Sequence, residues 1–337
     1  MSHKQNMGNL GKNAQDDALS SIYALAKEDF DSLNQLIPQQ LSSSVDLVEK
    51  IGHHIVDSGG KRLRPLIVLL TAGCFNYMGS AHIQLAAIIE FLHTATLLHD
   101  DVVDKSNLRR GKATSNSIWG NSPSVLVGDF LYSRAFQLMV VIENMEIMRI
   151  LSNATNRIAE GEVLQLSSIG NFELTEGEYM QVINSKTAML FEAAAHTSAV
   201  LSTQDSNHIE RLKRFGIEFG VAYQLIDDWL DYAGDVKSMG KNIGDDLAEG
   251  KLTLPLIYAL KNMDNEGHTI KAAITDPSNE NIEKVIEIVR RTGALAYTAQ
   301  AAMRHSKNAI EALNELPNNK FRNALEELTR VCMLRVS

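Results

Sequence analysis

The segment from Leu85 to Leu98 is apolar on nearly every side of a helix, with Glu90 and His93 its only titratable residues. A helix without a polar face has to be enclosed by other helices, so this segment predicts the centre of a bundle. The segment 188–201 has the same character. Elsewhere the apolar spacing is helical almost throughout. It predicts helices at 19–37, 41–58, 62–78, 81–105, 113–119, 122–143, 145–167, 175–202, 205–236, 251–262, 267–275, 279–292, 293–316 and 319–334. No run alternates as a strand does. Thr175 followed by Glu178 reads as a capping box, and Asp205 suits a helix start. The expected fold class is all-α.

The 337 residues show no fixed-period repeat and no long polar linker. Residues 1–18 are polar and rich in Asn and Gly, which predicts a disordered tail; 19–337 reads as one domain. Acidic residues outnumber basic ones 41 to 32, which argues against nucleic acid as a partner. Two cysteines, Cys74 and Cys332, supply neither a metal-binding spacing nor a disulfide framework, and suit a reducing, cytoplasmic setting. The N-terminus lacks the apolar core of a signal peptide. No uninterrupted apolar run reaches the roughly 18 residues of a spanning helix, so contact with membrane is expected to be peripheral.

Two carboxylate clusters end apolar helical stretches: Asp100-Asp101-x-x-Asp104 and Asp227-Asp228-x-x-Asp231. Residues i and i+4 share a helical face, so Asp100 and Asp104 point the same way, as do Asp227 and Asp231. Carboxylates that close repel one another unless a cation sits among them. Oxygen-only ligands suit a hard ion, and magnesium is the one that bridges to diphosphates.

Basic groups complement the clusters. Gly59-Gly60-Lys61-Arg62-Leu63-Arg64-Pro65 sets three cations at a helix start, where glycine lets the backbone approach an anion. Arg109 and Arg110 follow the first cluster, and arginine pairs bidentately with phosphate. Lys186-Thr187 lies inside the helix expected at 175–202. Lys241 and Lys251 follow the second cluster. His93 lies seven residues before Asp100, on the same helical face.

Taken in order, GGKRLRP, LLHDDVVDKSNLRRGKAT, VGDFLYSRAF, EGEVLQL, SKTAMLFEAA, GVAYQLIDDWLDYAGD and GKNIGDDLAEGKLTLPLI resemble the trans-polyprenyl diphosphate synthases, the class I head-to-tail prenyltransferases, over about residues 20–335. HTATLLHDDVVDKSNLRRGKAT with EGEVLQL is most similar to the octaprenyl-forming members that serve quinone synthesis. The resemblance implies an isoprenoid synthase fold, a large helical bundle around a central cavity, usually as a homodimer. It implies that Lys61, Arg64, His93 and Arg110 bind isopentenyl diphosphate. It implies that Arg109, Lys186, Thr187, Gln224, Lys241 and Lys251 bind the allylic diphosphate. Magnesium ions would be held by Asp100, Asp104 and Asp227, with Asp231 in the same motif, and Asp228 and Lys186 would join the catalytic set. Asp101 belongs to the first motif with a less direct role.

In such enzymes an aromatic residue just before the first cluster stops the growing tail. Here Ala95 and Thr96 are small, which implies a long product. Met139 and Leu151, with Leu164 and Leu166, are candidates for the tunnel floor, and Phe130, Phe136 and Phe191 for its lining. Three readings remain open beside the long-chain synthase: a short-chain farnesyl or geranylgeranyl diphosphate synthase, a terpene cyclase, and a non-catalytic subunit.

Overall fold

The computed structural model describes residues 15–233, 244–262, 267–275 and 278–334. The chain is helical from 15 to 25 (α1), and continues through α2 (Lys27–Gln40), α3 (Asp46–Val56), α4 (Leu63–Cys74) and α5 (Ala81–Val103). A hairpin of β1 (Leu108–Arg109) and β2 (Lys112–Ala113) precedes α6 (Ser115–Trp119), α7 (Asn121–Val141), α8 (Met145–Ser167) and α9 (Glu176–Ile183). After a π-helical turn, Asn184–Ala188, come α10 (Met189–Ser202), α11 (Ser206–Ala233), α12 (Asp245–Ala248), α13 (Leu254–Lys261), α14 (Gly267–Thr275), α15 (Asn279–Arg291), α16 (Ala294–Ala312) and α17 (Lys320–Met333).

The structure departs from the sequence expectation in three places. Helix already runs through 15–18, inside the expected tail, while residues 1–14 lie outside the described residues. The strands of the hairpin are two residues each, too short to show an alternating pattern. Their antiparallel register pairs Leu108 with Ala113 and Arg109 with Lys112. The turn places Arg110 (φ 53°) and Gly111 (φ 76°) both in the left-handed region, as a tight two-residue hairpin requires. The helix expected at 175–202 is divided by the π turn. The capping box at its start is present: Thr175 Oγ1 accepts from the Glu178 amide, and Glu178 accepts from the Thr175 amide. Asp205 caps α11 by accepting from the Asn207 amide at 2.8 Å.

The chain divides into two compact units. The first holds the described residues up to Thr155 with Leu190–Lys213 and Leu313–Leu328. Its centre is α5, which packs against α2, α4 and α7. Leu85, Ala86, Ala87, Ile88, Ile89, Phe91, Ala95 and Leu98 are entirely buried, as the all-round apolar pattern predicts. From the same unit, Ser198 of α10 donates to the Val68 carbonyl at 2.7 Å. By length and composition α5 and α7 would both suffice to cross a membrane, which counting uninterrupted runs did not reveal. The enclosure of α5 is that of a core helix. The second unit holds Asn156–Met189, Arg214–Ala312 and the described residues from Thr329. Tyr232, Leu247, Leu256, Ile270, Val285 and Val289 form its core.

Candidate active site

In the first unit, Asp100 and Asp104 stand half-buried on the last turn of α5, with Asp104 closing the helix. Asp101 turns inward and is 1% exposed. Arg109 on β1 reaches its Oδ1 with Nε at 2.9 Å and with Nη2 at 2.7 Å. Asn116 of α6 donates to the Asp101 and Ser106 carbonyls, each at 3.1 Å. The middle aspartate therefore anchors an arginine and the hairpin that carries it. The hairpin is fixed from its other side, where Lys112 donates to the Asp57 carbonyl at 2.9 Å. One residue before Asp100, the His99 ring stacks on Tyr132 and lies where a Cβ on Gly128 would sit, so that glycine lets α7 close on α5.

The cationic loop before α4 is held in a strained form. Gly59, Gly60 and Arg62 all have φ between 43° and 144°, and only glycine adopts such values freely. Tyr23 donates to the Lys61 carbonyl, and Arg62 donates to Asn34. A Cβ on Gly60 would meet Arg110 Nη1 at 2.3 Å, so the loop and the hairpin tip bring Lys61, Arg62 and Arg110 together. Arg64 lies 4.1 Å above the Phe191 ring and 3.4 Å from His93 Nε2. Burial, and then the charges of Arg64, Arg110 and Arg109, hold the His93 imidazole well below its usual range. Glu90, one turn earlier on α5, is 9% exposed and 3.7 Å from Arg62. Burial raises its carboxyl, opposed by the charges of Arg62, Arg64 and Arg110.

In the second unit, Asp228 is 2% exposed. Tyr179 of α9 donates to its Oδ2, and Gln224 donates to its Oδ1 at 2.7 Å. The Gln224 carbonyl accepts from Thr187 at 2.8 Å, so Gln224 joins the π turn to the aspartate cluster. Burial pushes the Asp228 and Asp231 carboxyls far up, and repulsion from Asp246 adds to it in both cases. Asp231 Oδ2 is buried without a hydrogen-bond partner. Lys251 pairs with Glu249 at 2.7 Å, and its amide donates to the Asp246 carbonyl. On the π turn, Lys186 donates to Glu162 at 2.6 Å and to Gln165 at 2.8 Å. Lys241 lies outside the described residues.

The residues fit magnesium on two counts. The second unit gathers Asp228, Asp231, Asp245 and Asp246 in mutual repulsion, and one buried carboxylate oxygen there has no partner. Among the described residues no three carboxylate, imidazole or thiol groups form a ready metal cage. Magnesium is ordinarily held by one or two carboxylates and completed by water and substrate phosphate, so a full protein cage is not required.

Of the chain-length candidates, Ala95, Met139 and Leu151 are buried to within 1% in the first unit's core. Thr96 is half-buried and donates to the His93 carbonyl at 2.7 Å. Leu164 and Leu166 are exposed in this chain, and so is Phe136, because each faces away from its helix's packed side. Phe191 is fully buried beneath Arg64, and Phe130 lies under Arg134. Sequence reasoning assigned no role to Tyr179, Glu162, Gln165, Asn116 or Glu90. The only signal was the i, i+3 spacing of Glu162 and Gln165 within EGEVLQL; nothing local marks a tyrosine 49 residues from its aspartate.

An all-helical scaffold with paired aspartate clusters and cations fixed by other side chains defines a class of protein suited to diphosphates. Residues 45–292 match the family described as Polyprenyl synthetase. The chain is 46% identical over 319 residues to the octaprenyl diphosphate synthase of Escherichia coli, covering 94% of this chain and 99% of that one. It is likewise 46% identical over 322 residues to the all-trans-nonaprenyl-diphosphate synthase (geranyl-diphosphate specific) of Rhodobacter capsulatus, covering 95% and 99%. A polyprenyl synthase from Caulobacter crescentus, solved with calcium and isoprenyl diphosphate, superposes with a TM-score of 0.91 at 41% identity, covering 95% and 98%. The chain belongs to the polyprenyl synthetase family and has its all-α isoprenoid synthase fold.

Proposed function

We infer that the chain is a long-chain trans-polyprenyl diphosphate synthase, adding isopentenyl diphosphate units to an allylic diphosphate such as farnesyl diphosphate. The observation that carries the reading is the excess of buried carboxylate around Asp228 and Asp231, in a unit where Thr187, next to Lys186, is joined to the cluster through Gln224. Repelling acids beside fixed cations call for divalent metal and an anion together.

In this reading Asp100, Asp104, Asp227 and Asp231 hold magnesium, and Asp228 holds Gln224 and Tyr179 in place. Magnesium held there would neutralise the allylic diphosphate and make it a better leaving group; the divalent cation with isoprenyl diphosphate in the Caulobacter relative supports this. Arg109, Lys186, Thr187, Gln224, Lys241 and Lys251 bind that diphosphate, with Arg109 aimed by Asp101. Lys61, Arg64, His93 and Arg110 bind isopentenyl diphosphate. His93 serves as a neutral hydrogen-bonding group, because burial and three arginines disfavour its charged form. Once the allylic carbon–oxygen bond ionises and pyrophosphate departs, the double bond of isopentenyl diphosphate attacks the allylic cation, and the new cation loses a proton to the departed pyrophosphate. Holding both diphosphates in register supplies much of the acceleration.

Octaprenyl is the proposed product, supported by the Escherichia coli relative, and a quinone side chain is its proposed destination. A homodimer suits α7, which leaves Leu126, Val140 and Val141 exposed. A cytoplasmic setting suits Cys74 and Cys332, both buried and outside any disulfide. Incubating the purified protein with magnesium, isopentenyl diphosphate and farnesyl diphosphate, and chromatographing the products, tests the reading. Long linear diphosphates are expected. Geranylgeranyl diphosphate alone, a hydrocarbon or no turnover would each overturn it, in favour of a short-chain synthase, a cyclase or a subunit respectively.

A further inference from the structure

Within EGEVLQL, Glu162 and Gln165 are polar groups that the proposed reaction leaves without a task and that meet a site residue. They are three residues apart on α8 and so share one face. Both accept from the Lys186 ammonium, at 2.6 Å and 2.8 Å. Lys186 sits on the π turn Asn184–Ala188, where a widened turn re-aims the side chains it carries. The approach of α8 to that turn depends on Gly161. A Cβ there would meet Ser185 Cβ at 2.8 Å and the Lys186 amide nitrogen at 2.9 Å. Glycine, acid and amide within EGEVLQL thus act on one lysine.

Two anchors fix where the ammonium points. Glu162 also brings a negative charge to within hydrogen-bonding distance of it. The side chains of Lys186 and Glu162 are 19% and 28% exposed, so water screens the pair only partly. An anion that meets Lys186 therefore meets a pair whose charges largely cancel.

We infer that Glu162 and Gln165 are positioning residues that hold Lys186 toward the allylic diphosphate, and that the charge of Glu162 keeps released pyrophosphate from binding tightly. This rests on the reading that Lys186 contacts a diphosphate. Glu162→Gln keeps an acceptor for the ammonium and removes the charge. Glu162→Ala removes both.

Inorganic pyrophosphate with magnesium, used as an inhibitor, is the probe. Glu162→Gln is expected to lower its inhibition constant several-fold and to reduce kcat, with the KM for isopentenyl diphosphate unchanged. Glu162→Ala is expected to raise the KM for the allylic diphosphate several-fold. Lys186→Ala separates the two levels. If it leaves pyrophosphate inhibition unchanged, the assignment of Lys186 fails and the inference fails with it. If it weakens inhibition while Glu162→Gln leaves inhibition unchanged or weaker, only the inference is overturned. Thermal unfolding of each variant identifies any that is misfolded, and Glu162→Gln, which preserves size and hydrogen bonding, carries the test should Glu162→Ala not fold.

Discussion

The two aspartate clusters have identical spacing and opposite electrostatics. In the first, the middle residue, Asp101, is buried against the Arg109 guanidinium, so its charge is compensated within the protein. In the second, Asp228 is buried against a phenol and a carboxamide, both neutral, with Asp246 and Asp227 raising its carboxyl further. One D-D-x-x-D aims an arginine through an ion pair at Asp101 Oδ1, while Asp101 Oδ2 stays buried without a hydrogen-bond partner. The other is an unsettled group of acids. A repeated motif thus need not repeat its physics, since the partners across the fold decide what each carboxylate costs to bury.

The contrast yields ordered expectations. Asp100→Asn and Asp227→Asn should each lower kcat by about 1000-fold, because both remove charge from the proposed metal sites; steady-state kinetics at saturating magnesium checks this, and a small effect in only one would make the clusters unequal in catalysis as well. Asp101→Asn should cost about 3 kcal/mol of stability, because it leaves Arg109 beside a buried neutral group. Asp228→Asn, measured alike by guanidinium unfolding without magnesium, should stay within about 1 kcal/mol of the parent or exceed it, since its partners can hydrogen-bond an amide and a repulsion disappears. Equal losses in the two variants would erase the distinction.

Thr96→Phe should shorten the product toward farnesyl or geranylgeranyl length with little loss of stability. Ala95→Tyr should shorten it too, but at about 1–3 kcal/mol, because Ala95 is entirely buried. Product chromatography beside thermal melting separates them, and unchanged product length in both would remove these positions from length control. The smallest effect concerns the basic group of the first unit. His93 has its imidazole held low by burial, so the folded protein keeps it neutral while the unfolded chain protonates near pH 6.5. Its contribution is therefore present above that pH and is lost as pH falls below it toward the folded value. Unfolding at pH 7.5 and 5.5 should show a loss about 1 kcal/mol larger for the parent than for His93→Gln; equal losses would show that His93 titrates normally.

Much of this was legible along the chain. The enclosed α5, the capping box at Thr175 and the cap at Asp205 follow from local chemistry, which depends on residues a few positions apart. So does the placement of Asp100 and Asp104 at the end of an apolar helix. The hairpin at Arg109 carries no legible signal because two-residue strands have no period, and the π turn carries none because the segment after it is apolar nearly all round, so a shift in helical phase leaves no mark.

The sequence by itself determined an all-helical chain bearing two acidic clusters and several cations in a fixed order. Only the tertiary structure decided which acid is neutralised and which is not. Arg109 lies eight residues from Asp101, Tyr179 lies 49 from Asp228, and Glu162 lies 24 from Lys186. Charge and burial act through space, so the same letters took opposite electrostatic states once folding had chosen their neighbours.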